Sequence, residues 1–204
     1  MDRLKGAWLA LVRTCREQPR LAHTAAVLLG AAMLFWPAVY NGYPLLYPDS
    51  MSYLGQGPAV ARALFLRQFS EYYGVRSFHY SLGILPFHWN RSAWPVAALQ
   101  CQLVAWVVWL VVRVFAPRRP VVAFLAVLAL LSVLTSASWY ACFVMPDVLG
   151  PLVYLAFFLL VFARSTLSRR ERWALGAVAC WGITAHATHL LVAAGLLAVL
   201  ALVA

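Results

Sequence analysis

The sequence predicts an all-α fold: a polytopic helical membrane protein of about five to six spans, with a long first outer loop carrying interfacial helices. Three observations predict it. Hydrophobic residues make up 64% of the 204 positions, charged residues only 11%, and the mean hydropathy is +0.80. A soluble domain averages about 25% charged. The apolar residues fall in continuous runs, and a hydrocarbon core of roughly 30 Å needs about 20 of them per helix. The runs do not alternate, which argues against a β-barrel. Positive charge collects in the short segments between runs, where it orients helices.

Residues 1–20 read as an amphipathic cytoplasmic headpiece. Arg3, Lys5, Arg13, Arg16 and Arg20 alternate with Trp8, Leu9, Leu11 and Val12. The apolar run that follows is too long for the core of a cleaved leader, and no small-residue cleavage site follows it. Residues 21–204 form a single transmembrane domain. Its first span is 21–40, with Trp36 and Tyr40 at the far end, where aromatic rings favour the interface. Residues 41–92 are too polar to span and too aromatic for a disordered linker. Within them, Pro58 to Phe69 shows helical spacing with Arg62 and Arg67, the pattern of a helix on the interface. Further spans are expected at 94–114, 121–139 and 148–162. The last stretch, 173–204, reads as one long helix or two short ones broken near His186 and His189. It ends at Ala204 within apolar sequence, so the natural chain is expected to continue.

Charge sets the expected topology. The headpiece, the segment with Arg113, Arg118 and Arg119, and the segment with Arg164, Arg169, Arg170 and Arg172 are basic; the turn at 140–147 is not. The first loop carries Arg62, Arg67, Arg76 and Arg91, but long loops translocate despite their charge. The N-terminus is therefore placed in the cytoplasm, and the first loop and the 140–147 turn outside. The net charge of +10 then reflects loop arginines that orient helices and meet anionic lipids. Nucleic acid is not an expected partner. The four cysteines, Cys15, Cys101, Cys142 and Cys180, form no CxxC and read as small packing residues.

The segment Asn41-Gly42-Tyr43-Pro44-Leu45-Leu46-Tyr47-Pro48-Asp49-Ser50-Met51-Ser52-Tyr53 holds one of only six acidic residues. Asp49 sits in a proline-stiffened aromatic turn just beyond the first span. It reads as a helix N-cap, as a catalytic base, or as both. Asp147, after Met145-Pro146, reads as an N-cap for the fourth span or as a second site acid. His186 lies about 13 residues into the last stretch, or roughly 20 Å of helix, in the outer half of the membrane. His186 and His189 share a helix face and read as interface histidines or as ligands. A divalent metal is conceivable with Asp49, but His-x-x-His alone is weak evidence, and no metal ligand is assigned. Arg76 is the arginine best placed to hold a phosphate; the loop arginines otherwise snorkel to headgroups. Polar groups from three segments thus converge on the outer level, as in a cleft.

This layout resembles the C-type (GT-C) polytopic membrane glycosyltransferases, which use polyprenyl-phosphate sugars. The similarity rests on the acid after the first span in Tyr47-Pro48-Asp49-Ser50-Met51-Ser52-Tyr53. It rests also on Arg76-Ser77-Phe78-His79-Tyr80-Ser81-Leu82, which resembles an Arg-x-x-x-Tyr segment, and on Met145-Pro146-Asp147, which resembles a second outer-loop acid. Two features depart from the family. Its first-loop acidic pair is a single Asp49 here, and this chain is shorter. The resemblance implies a cell-envelope enzyme of the bacterial inner membrane that moves a sugar from a lipid phosphate. It implies Asp49 as catalytic base and Arg76, Tyr53, Tyr80, Asp147, His186 and His189 as substrate-binding residues. The alternatives are a non-catalytic membrane subunit and a small transporter component.

Overall fold

The computed structural model describes residues 19–68 and 76–203. The headpiece up to residue 18, and with it Cys15, lies outside the described residues. The described residues form ten α-helices: α1 Pro19–Leu34, α2 Trp36–Tyr40, α3 Pro48–Leu66, α4 Phe78–His88, α5 Trp94–Phe115, α6 Pro120–Leu134, α7 Ala137–Cys142, α8 Leu149–Phe162, α9 Arg169–Ala185 and α10 Ala187–Val203. Single turns of tighter helix lie at Pro146–Val148 and Arg164–Thr166. The chain is all-α as expected. The one extended pairing described is a bridge between Leu45 and Phe143. There Leu45 N–H donates to Cys142 O at 3.0 Å and Val144 N–H to Leu45 O at 3.0 Å.

Helix α5 is the centre. It contacts α1, α4, α6, α7 and α8. Val96, Ala97, Cys101, Ala105, Val107 and Leu110 are buried around it, so its sequence is apolar on all sides. It is the one described helix long and apolar enough to cross a membrane. The segments Leu21–Leu34, Pro120–Leu134, Pro146–Phe162 and Ala187–Leu202 are apolar but shorter.

The breaks have local causes. The span expected at 21–40 is interrupted at Phe35. Pro37 has no N–H for Met33 O, and the Ser132 hydroxyl donates to that carbonyl instead, at 2.7 Å. The span expected at 121–139 breaks after Leu134. Thr135 turns extended, its hydroxyl donates to Leu131 O at 2.6 Å, and its oxygen accepts Ala137 N–H at 3.1 Å. The last stretch is two helices. His186 is extended, and its Nδ1 accepts Thr188 N–H at 3.3 Å, capping α10. The outer-loop helix expected from Pro58 starts earlier, at Pro48, and is followed by a second helix, α4.

Both capping expectations are corrected. The residue before α3 is Tyr47, with Pro48 in the first helical position and Asp49 after it. Proline is preorganised for that position and moves the boundary one residue upstream. Ser50 Oγ, not Asp49, serves the turn by accepting Tyr47 N–H at 2.9 Å. At Asp147 the same happens: Met145 precedes the turn, Pro146 opens it, and no side chain caps it.

Candidate functional site

Helices α3 and α4 pack side by side, and this pair positions Asp49 and Arg76. Contact is close because Gly57 lacks a side chain; a Cβ there would lie 2.6 Å from Ser81 O. Gln56 is buried between the helices. Its amide donates to Arg76 O at 2.7 Å, and its carbonyl accepts the Ser81 hydroxyl at 3.2 Å. Arg76 is thereby held at the entry to α4. Its guanidinium donates to Asp49 Oδ1 at 2.7 Å. The pair is partly solvent-exposed, 25% for the Asp49 side chain and 43% for that of Arg76.

Arg76 and Tyr53 form one wall of an open cleft of about 530 Å³, with Ser77 and His79 beside them and Thr184, His186 and Leu190 opposite. Ser77 fastens the two walls. Its hydroxyl donates to Thr184 O at 2.6 Å, and its oxygen accepts His79 N–H at 3.3 Å. Trp181 adds a second tie, its indole N–H donating to His79 O at 3.2 Å.

The floor is aromatic. Tyr53 meets Tyr80 edge to face at 5.0 Å, and Tyr80 stacks on Trp181 at 6.0 Å. Tyr80 is fully buried and donates to Gln100 Oε1 on α5 at 2.8 Å. Gln100 in turn donates to Phe143 O at 2.7 Å. Burial pushes the Tyr80 hydroxyl well above its ordinary value, so it stays a donor. Burial also pushes Tyr53 up; Arg76 opposes this, while Asp49 and Asp147 add to it.

The expected residues therefore divide. Asp49, Tyr53, Arg76 and His186 gather at the cleft or its rim. Tyr80 supports it from below and does not line it. Asp147 is exposed in a neighbouring recess of about 390 Å³ with Tyr47, Tyr140, Phe143 and Met145. It reaches Tyr53 and Tyr80 only through its field. His189 is buried, its Nδ1–H donating to Gly182 O at 2.8 Å, with its other ring nitrogen packed against Gly150. It fastens α10 to α8 and α9 and is not among the residues that line the cleft. Among the described residues no group of three or more His, Cys, Asp or Glu side chains is placed to hold a metal ion. The sequence reading missed Gln56, Ser77, His79, Trp181 and Thr184. Ser77 alone carried a local signal, as a serine two residues before His79 at a helix start. Comparison with known protein families, with curated proteins and with solved structures gives no match.

Proposed function

We propose that the chain is a polytopic protein of the bacterial inner membrane that transfers a sugar from a lipid-phosphate donor at the outer face. The observation that carries this reading is the 2.7 Å Asp49–Arg76 pair at the rim of the cleft. One group can take a proton and its neighbour can hold a phosphate. Support for membrane embedding comes from the outward side chains of the helices. Leu28, Leu29, Leu130, Val133, Phe162, Leu191 and Leu197 are all more than half exposed. Water would not favour such surfaces on so many helices; hydrocarbon would. In the proposed topology α1 with α2, α5, α6 with α7, α8, α9 and α10 cross or enter the bilayer, and the N-terminus faces the cytoplasm.

The chemistry follows from the free valences. Arg76 occupies Asp49 Oδ1, which leaves Oδ2 to accept a proton. The acceptor hydroxyl gives its proton to Oδ2 as its oxygen bonds the anomeric carbon. The bond from that carbon to the phosphate oxygen breaks, and the electron pair stays on the phosphate. Arg76 stabilises the charge gained there, with guanidinium N–H groups not used by Asp49. His79 and His186 both line the cleft and orient the acceptor by hydrogen bonds. Asp147 contributes its field and makes no direct contact.

The test is release of polyprenyl phosphate from a panel of polyprenyl-phosphate sugars by the purified chain. Turnover that disappears in Asp49→Asn, in a protein that still inserts and folds, supports the reading. Undiminished turnover in that variant sinks it. One observation favours a second reading, a non-catalytic membrane subunit. Gln56 and Asp49 both sit on α3 and both bind Arg76, so the pair also serves as a clamp between α3 and the chain entering α4.

A further inference from the structure

The bridge between Leu45 and Phe143 ties the chain entering α3 to the chain leaving α7. Its two backbone hydrogen bonds, both 3.0 Å, hold the segments in register. Along the second segment burial alternates. Cys142 and Val144 are fully buried, while Phe143 and Met145 are half-buried and line a recess. Tyr47 stands two residues beyond Leu45, and Tyr140 three residues before Phe143. Pro146 then opens a tight turn whose second residue is Asp147. One local pairing thus brings three aromatic rings, a thioether and a carboxylate to one place.

These five residues line the recess of about 390 Å³. In a chain of net charge +10, the one charged side chain lining it is an acid. Tyr47 and Tyr140 are 55% and 53% exposed, so both rings are open to a ligand. Among the described residues none of the three rings stacks on another ring, and Asp147 makes no ion pair. Ligand classes separate on this lining. An anion is repelled by Asp147. A divalent metal ion asks for several oxygen ligands, and the recess offers one carboxylate beside rings and a thioether. A neutral apolar group would strip water from the carboxylate and give it no partner. A cation with an apolar surface suits both features: the carboxylate balances its charge, and aromatic rings attract it through their quadrupole.

We infer that the recess beside the Leu45–Phe143 bridge binds a quaternary ammonium group, with Asp147 pairing its charge and Tyr47, Tyr140 and Phe143 contacting its methyl groups. Met145 completes the wall with a soft, polarizable surface that suits the same methyl groups. The group can come from a free cation such as choline or from the headgroup of a phosphatidylcholine. None of the five residues lines the Asp49 cleft, and neither the site nor its test depends on sugar transfer.

The experiment uses the full chain in dodecyl maltoside micelles and, separately, in nanodiscs of phosphatidylglycerol with or without phosphatidylcholine. Choline is titrated against the micellar protein at constant ionic strength, and bound phosphatidylcholine is counted by native mass spectrometry. We expect saturable binding of at least one of the two. Binding of choline identifies a site for the cation itself; binding of phosphatidylcholine alone identifies a headgroup site. Asp147→Asn and Tyr140→Leu should each weaken binding more than about fivefold, whereas Tyr140→Phe, which keeps the ring, should bind within about twofold of wild type. Both side chains are exposed, so these variants leave the core intact. The uncharged isostere of choline, with a tert-butyl group in place of the trimethylammonium group, should bind at least about tenfold more weakly than choline where choline binds. The inference is overturned if wild type binds neither probe saturably, if Asp147→Asn or Tyr140→Leu binds as tightly as wild type, if Tyr140→Phe loses as much as Tyr140→Leu, or if the isostere binds as well as choline.

Discussion

The Tyr80 hydroxyl donates to Gln100 Oε1 at 2.8 Å, and both side chains are fully buried. This bond joins the cleft floor on α4 to the central helix α5. Tyr80→Phe keeps the ring stack on Trp181 but leaves the Gln100 oxygen buried with no donor. The expected cost is about 1–3 kcal/mol, the penalty of an unsatisfied buried acceptor. Chemical denaturation of the purified chain measures it. A variant as stable as wild type would show that the bond adds nothing to the native state.

The close approach of α3 and α4 sets a second expectation. Gly57→Ala would place a Cβ 2.6 Å from the Ser81 carbonyl oxygen, a backbone atom that cannot rotate away. The helices must separate, at a cost of roughly 1–3 kcal/mol. Gly55→Ala, on the same helix with nothing within 4 Å, is the control. It is expected to be neutral or to stabilise by about 0.5–1 kcal/mol through helix propensity. A thermal-unfolding comparison that finds the two variants equal would contradict the packing account.

Much of the helix content was legible because it rests on long apolar runs. The α5 boundaries at Trp94 and Phe115 match the 94–114 run, since that helix is wrapped by neighbours and needs no polar interruption. The breaks at Phe35 and Thr135 were not legible. They depend on Ser132 reaching Met33 O from another helix and on Thr135 turning its hydroxyl back on Leu131. The same limit applied to the site. The sequence singled out Asp49 and Arg76 separately, one for its scarcity and one for its place in a basic loop. Nothing local paired them, because the pairing depends on Gly57 and Gln56 bringing α3 against the entry to α4. His189 looked equivalent to His186 by spacing. Its different role comes from Gly150 and Gly182, which make room for its ring and supply its acceptor.

At a distance from the cleft, Arg113 on α5 grips Glu171 at the start of α9 through two bonds of 2.7 and 3.1 Å. Burial pushes the Glu171 carboxyl up, but the Arg113 bonds and the Ser168 capping bonds outweigh it and hold it below its ordinary value of 4.5. A depressed folded value has one sign. The stability it gives is complete above the unfolded value and is lost as pH falls through the folded one. Denaturant midpoints should therefore fall as pH drops below about 4.5 in the wild type. In Glu171→Gln that acid-linked loss should shrink, with about 1 kcal/mol less stability near neutral pH for a partly exposed pair. Identical pH profiles for the two proteins would refute the linkage.

The two readings of the Asp49–Arg76 pair separate on a charge exchange. As a clamp, the pair needs only opposite charges at these positions. Asp49→Asn and Arg76→Gln should each lose about 0.5–1 kcal/mol, modest because both side chains are partly exposed. Exchanging them, Asp49→Arg with Arg76→Asp, should then restore much of that stability. As a catalytic pair, position matters as well as charge. The exchange moves the base to the entry of α4 and the phosphate-holding cation into the first turn of α3, so neither group meets its atom of the donor. Sugar transfer should then stay at least about a hundredfold below wild type even where folding recovers, the order of effect expected for losing a general base. Stability and donor turnover would be followed in parallel on the same preparations. Recovery of both in the exchanged protein would leave the pair as a clamp and remove Asp49 from the chemistry, whereas recovery of stability alone would assign Asp49 and Arg76 distinct roles at the reacting bond.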